Sequence, residues 1–219
     1  MAVTTSSFQS FSKKNYHAIC DQLSGRDEDL AGVISKFGYP PCWSRPNTFE
    51  TLVHIILEQQ VSLASALATL NKLKEKIGVI NPENFLILTD EELRACYFSR
   101  QKTIYVRGLA KAIGDGIFSL KEMETLPDEE VRSTMLRLKG IGHWTIDVYL
   151  MFVLQHADVF PMGDLAAVSA MRAIKKLEKD TSREKLLLIS ENWKPYRTIA
   201  TMILWHFYLS SRKPVKTFA

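Results

Sequence analysis

The chain has 219 residues, enough for one compact domain or for two lobes sharing an active-site cleft. Hydrophobic residues make up 46% of it, so a core can form without metals or disulfides, and a net charge of +4 fits nucleic acid without requiring it. Three scattered cysteines, Cys20, Cys42 and Cys96, form no CxxC pair, which argues against a zinc site or an iron–sulfur cluster and fits a reduced compartment.

From the N-terminus, residues 1–12 are polar and lack the apolar centre of a signal peptide. No apolar run is long enough to span a membrane, so a soluble intracellular protein is expected, in a bacterial cytoplasm (nucleoid) or a nucleus. Gly38 is a natural helix stop. Asn47-Thr-Phe-Glu50 reads as a capping box opening a long apolar helix over 49–60. A second long helix is expected over 62–77, stopped by Gly78. Thr89-Asp-Glu-Glu92 is another capping box, and Gly114 and Gly116 end the helical run that follows.

Pro127 sits where a first helical turn tolerates a missing N–H, and further long helices are expected over 144–154 and 196–209. Thr181-Ser-Arg-Glu184 precedes Leu186, Leu187 and Ile189 as a third capping box, and Pro195 marks the last helix start. About ten helices with short loops and no strand alternation make the class all-α. Most of their leucines and aromatics are core.

The most informative stretch is Leu138-Lys-Gly-Ile-Gly-His-Trp-Thr145. Val131, Met135 and Leu138 lie at helical spacing before it, and a second helix starts almost immediately after it. Two glycines two apart allow a tight turn and close approach of the backbone to another surface. The N–H groups of the second helix's first turn then point outward at the positive end of its dipole. Such a turn is a phosphate receptor made of backbone, blind to base sequence. Ile141 can plug the turn onto the core. A plain glycine-capped helix–turn–helix connection would share the glycines, but not the longer pattern. That pattern resembles the helix-hairpin-helix motif, which grips the DNA backbone, and implies contacts from Lys139, Gly140, Ile141, Gly142, His143 and Thr145.

Asp164 follows in Asp158-Val-Phe-Pro-Met-Gly-Asp164, opening a helix at Leu165. Alone it is a good N-cap, a role that also fixes a carboxylate rigidly at a loop edge. Hairpin, apolar helix and this segment together resemble the HhH-GPD superfamily of DNA glycosylases, in particular the 3-methyladenine DNA glycosylase II (AlkA/Mag) group. Glu58-Gln-Gln-Val-Ser62, Ser99-Arg-Gln-Lys102 with its helix, and 193–205 agree with it, so the resemblance runs from about Thr48 to Trp205. The chain departs from the group in two respects. It is too short and too helical for the N-terminal β-lobe of the bacterial prototype, and Cys96-Tyr97 stands in place of a glycine-containing turn.

The resemblance implies a two-lobed helical fold, lobe one over 48–163 with the hairpin at 127–154, and lobe two over 1–47 plus 164–219. It implies a monomer acting on double-stranded DNA that contains damaged bases, away from membranes. The target nucleotide is flipped out of the duplex, and Asp164 stabilises the positive charge that grows on the sugar. Members that also nick DNA carry a lysine nucleophile at the position of Trp144, which cannot form a Schiff base and instead suits stacking on a cationic alkylated purine. The expected activity is therefore a monofunctional glycosylase for the 3-methyladenine and 7-methylguanine class, without lyase action. Gln60, with Gln59 and Ser62 nearby, is the expected wedge filling the vacated stack. Lys139, His143 and Arg172 are candidate phosphate neighbours. No metal or organic cofactor is expected, apart from a monovalent cation that hairpins of this family can hold on backbone carbonyls. Two other readings stay open: a non-catalytic DNA-binding module, and a glycosylase for oxidised or deaminated purines.

Overall fold

A computed structural model describes residues 10–212. Its helices, in chain order, are α1 (Tyr16–Ser24), α2 (Glu28–Phe37), α3 (Phe49–Glu58), α4 (Leu63–Ile77), α5 (Pro82–Leu86), α6 (Asp90–Ala95) and α7 (Arg100–Gly114). There follow α8 (Leu120–Met123), α9 (Asp128–Met135), α10 (His143–Phe152), α11 (Leu165–Ile174), α12 (Arg183–Glu191) and α13 (Arg197–Ser211). The chain is all-α. Among the described residues the only β pairing is one isolated bridge, Ser10 with His156. The helix count exceeds the expected ten because α5 and α8, of five and four residues, are too short to register as periodicity.

Two of the three expected capping boxes shift by one residue. Thr48, not Asn47, caps α3 by accepting from the Thr51 N–H at 3.2 Å. Asn47 is engaged elsewhere, donating to the Leu120 carbonyl at 2.8 Å and accepting from the Tyr149 hydroxyl at 2.7 Å. Ser182, not Thr181, caps α12. At α6 both halves of the Thr89–Glu92 box form as expected.

The chain divides into two compact units. The first, Arg45–Leu154, holds α3 to α10. Its centre is α3, where Leu52, Val53, Ile55 and Ile56 are fully buried and Leu57 nearly so. Burial of all of α3 but Glu50 and His54 follows from packing against α4, α7 and α10 at once. Each such side chain contributes about 1.5–3 kcal/mol on leaving water. Glu58, buried at the end of α3, accepts two bonds from Arg45 at 2.9 and 2.7 Å. Asp147 on α10 is likewise buried and pairs with Arg132 of α9 at 2.7 Å. Buried carboxylates persist only when paired in this way.

The second unit comprises 10–44 and 155–212, with α1, α2 and α11 to α13. The stretch 155–163, expected with the first lobe, belongs here. The Thr198 N–H donates to the Ala157 carbonyl at 2.9 Å, and its hydroxyl donates to the His156 carbonyl at 2.6 Å. Against α13 packs α11. Asp27, the N-cap of α2, ties three elements together. It accepts from Lys175 at the end of α11 at 2.6 Å, and from the buried Trp193 indole beyond α12 at 2.7 Å.

Candidate active site

In the first unit, α9 and α10 are joined by the turn 136–142. Gly140 has φ +88, the left-handed region that favours glycine. A Cβ there would also collide with the ring of Tyr105 on α7. Gly142 differs. Its backbone is extended (φ −113, ψ 178), and an added Cβ would meet nothing within 4 Å. It is the N-cap of α10 and offers no side chain of its own to cap the helix. Glycine at 142 therefore keeps the positive end of α10 open to an approaching anion rather than meeting a packing need.

The turn between α3 and α4 reaches the same hairpin. Gln59, the C-cap of α3, donates through Nε2 to the Gly140 carbonyl at 2.9 Å and to the Thr145 hydroxyl at 2.9 Å. Lys102 of α7 donates to the Leu57 carbonyl at 2.5 Å, and burial pushes its amine below the usual lysine range. Gln60 follows with φ +58, an exposed side chain in the left-handed region. Val61 and Leu63 beside it are also exposed, and Ser62 caps α4.

In the second unit, Asp164 is the N-cap of α11. Its Oδ1 accepts from the Ala167 N–H at 2.8 Å and from the indole N–H of Trp205 on α13 at 2.9 Å. The Trp205 ring meets Trp43 edge-on, with centroids 6.5 Å apart and planes at 70°. A carboxylate held by a helix N-terminus and one indole, beside two half-buried tryptophans, is a fixed negative charge in partly apolar surroundings.

A family model for HhH-GPD superfamily base excision DNA repair proteins matches residues 53–195. The chain belongs to this superfamily. Among its relatives, DNA-3-methyladenine glycosylase 1 of Schizosaccharomyces pombe is 32% identical over 190 residues, 84% of this chain and 83% of that protein. A DNA-3-methyladenine glycosylase of Bacillus subtilis is 26% identical over 172 residues, 73% of this chain, and the match spans only 57% of that protein's length. The structure of the S. pombe enzyme Mag1 in complex with abasic DNA superimposes with a TM-score of 0.77 at 31% identity, covering 86% of this chain and 95% of that one.

Within this HhH-GPD chain the expected site residues fall into three groups. Lys139, Gly142 and His143 are exposed along the hairpin, and Trp144 is half-buried at the start of α10. Ile141 is buried, so its side chain plugs the turn and its backbone alone is available to a ligand. Three expectations need correction. Thr145 is buried, and its hydroxyl is an internal partner of Gln59, not a surface contact. Gln59, expected with the wedge, turns its amide into the hairpin for the same reason. The Arg172 guanidinium donates to the Thr181 carbonyl at 3.1 Å, and its Nε is buried, so it braces the loop after α11.

Three neighbours of these residues escape the sequence. Trp43 lies in a loop with no periodicity, and Trp205 reads as one more core aromatic of the last helix. Tyr105 acts through a single tertiary contact that sequence spacing cannot encode, whereas Lys102, on the lysine-containing helix of the resemblance, does lie behind the Gln59–Gln60 turn. Tyr97, in the Cys96-Tyr97 turn where the resemblance leads one to expect a glycine, has a left-handed backbone at φ +67. Among the described residues no cluster of His, Cys, Asp and Glu could hold a metal ion, and no helix is long and apolar enough to cross a membrane.

Proposed function

We propose that this chain is a monofunctional DNA glycosylase of base excision repair, hydrolysing the N-glycosidic bond of alkylated purines of the 3-methyladenine and 7-methylguanine class. The observation that carries the reading is the Asp164 carboxylate, fixed through Oδ1 by the Ala167 amide and the Trp205 indole in an HhH-GPD chain. The S. pombe relative's name, and the capture of Mag1 on abasic DNA, support the substrate class.

The chemistry follows from charge. The sugar carbon is inaccessible in a stacked duplex, so the nucleotide is rotated out. As the bond to the base stretches, positive charge develops on the sugar, and a pre-oriented carboxylate stabilises it without reorganising. Asp164 also orients water for attack and takes up its proton. An N3- or N7-alkylated purine leaves as a neutral base, so it needs no general acid. Water and the nucleotide balance the reaction, with no electron transfer and hence no redox cofactor.

The hairpin supplies sequence-blind hold on the backbone through the open end of α10, with Lys139 and His143 at its surface. Trp144 offers an electron-rich face to a cationic base, worth about 0.5–2 kcal/mol, and no amine for a Schiff base. Gln60 is the wedge. A monovalent cation at the hairpin would need its backbone carbonyls, of which Leu138 and Gly140 already accept from the Ile141 N–H and from Gln59. The protein acts as a monomer in an intracellular compartment that holds DNA.

The test is incubation of duplex DNA carrying 7-methylguanine or 3-methyladenine, with detection of free base, beside a panel containing hypoxanthine and ethenoadenine. Release of the alkylated bases without strand nicking or borohydride trapping is expected. Release of the neutral bases alone would move the substrate class, and release of none would make the chain a DNA-binding module.

A further inference from the structure

We infer that Gln59 is a positioning residue that locks the wedge turn to the phosphate-gripping hairpin, so that insertion at Gln60 and the hold on the backbone act as one rigid body. The inference rests on the glycosylase reading and adds a role that the wedge itself does not contain.

Three observations converge on it. A primary amide has two N–H groups, and the Gln59 amide donates to two acceptors of the hairpin, the Gly140 carbonyl and the Thr145 hydroxyl, both at 2.9 Å. Both acceptors are themselves closely packed. Gly140 is set in the left-handed region under the Tyr105 ring, and Thr145 is 2% exposed within α10. The third observation is on the other side of Gln59. Lys102 holds the Leu57 carbonyl at the end of α3, and the next residue after Gln59, Gln60, is held at φ +58 with its side chain outward. The backbone at 57 and the side chain at 59 are thus anchored immediately before the residue that would enter the duplex.

A wedge works only if it does not recoil. Extruding a base disrupts stacking on both sides of it, and the inserted side chain bears the restoring force. A turn tied to the rest of the protein by backbone alone would bend back; one bonded to the element that grips the phosphates transmits the load to the DNA contact itself. A glutamine suits this role because its donors are neutral and need no counter-charge in a half-buried place.

The experiment uses the full chain, with Gln59→Leu, Gln60→Ala and the double variant. Two quantities are read: single-turnover release of 7-methylguanine, and the fluorescence of 2-aminopurine placed beside an abasic-site analogue, which brightens when the stack is opened. Gln59→Leu is expected to reduce both by about tenfold while affinity for undamaged duplex stays within about twofold. The double variant should match Gln60→Ala alone, because a positioning residue has nothing left to position. Losses that multiply in the double variant, or a Gln59→Leu protein with undiminished fluorescence response, overturn the inference. If Gln59→Leu does not fold, Thr145→Val removes one of the two acceptors, and the same smaller loss is expected, with its absence counting against the role. The fluorescence arm requires no bond cleavage. Wild-type protein that brightens the probe but releases no base would refute the glycosylase reading while still deciding on Gln59.

Discussion

The indole N–H of Trp205 and the carboxylate of Asp164 meet at 2.9 Å, on the same Oδ1 that accepts the Ala167 amide. One oxygen thus serves both as a helix cap and as the acceptor for a side chain of another helix. Structure and chemistry at Asp164 can be separated by substitution.

Asp164→Asn keeps an oxygen that can cap α11, since asparagine and aspartate cap comparably. Thermal denaturation should move by less than about 1 kcal/mol equivalent. Single-turnover base release should fall about 100- to 1000-fold, because the neutral amide cannot stabilise the cationic sugar. Undiminished release would remove Asp164 from the mechanism.

Trp205→Phe retains a ring against Trp43 but removes the N–H donor. A hydrogen bond to a charged group is worth about 1.5–3 kcal/mol, and each 1.36 kcal/mol corresponds to tenfold in rate. Release should slow by about 10- to 150-fold if the bond acts mainly in the transition state, with a smaller change in substrate affinity. A change confined to affinity would make Trp205 a wall of the base site and nothing more.

The two hairpin glycines should respond in opposite ways. Gly140→Ala must hold a left-handed backbone and displace the Tyr105 ring, so a loss of about 1–3 kcal/mol in chemical denaturation is expected. Gly142→Ala has extended backbone and open space, and stability should change by less than about 0.5 kcal/mol. Its methyl group stands over the mouth of α10, so affinity for undamaged duplex, read by anisotropy, should fall.

Acid stability tests Asp27. Burial works against its ionisation, but the hydrogen bonds from Lys175 and Trp193 outweigh that and hold its carboxyl below the usual range. In the unfolded chain the group returns to about 3.9, so as pH falls the unfolded state takes up its proton first. The stabilisation is therefore complete above about pH 4 and is lost below it. Asp27→Asn should flatten this acid limb and lower stability at neutral pH by about 2 kcal/mol, since Lys175 keeps only Asp29 as its charge partner. An unchanged acid limb would assign the transition to other carboxylates.

The all-α class, the long helices and the hairpin were legible because each is a local pattern: a period of 3.6, a capping residue, a pair of glycines. The proposed roles of Asp164 and Gln60 come from the resemblance, through motifs contiguous in sequence. What stayed hidden was tertiary. Gln59 and Gln60 look alike on paper, and only the position of Gly140 and Thr145 shows that one turns inward and the other outward. Asn47 reads as the better cap in sequence, but Leu120 and Tyr149, 73 and 102 positions away, claim its amide. Trp205 acquired a role through one bond to a residue 41 positions earlier.

The helix that carries Asp164 is fastened at both of its ends by side chains from other elements of the same unit. At its start Trp205 holds the cap residue, and at its end Lys175 is held by Asp27 and Asp29. Helix ends ordinarily fray, opening many times before the whole unit does. With both ends fastened, the amide hydrogens of α11 have no cheap route to solvent, and their exchange with deuterium should track opening of the entire unit. The carboxylate then stays in register for as long as the unit is folded.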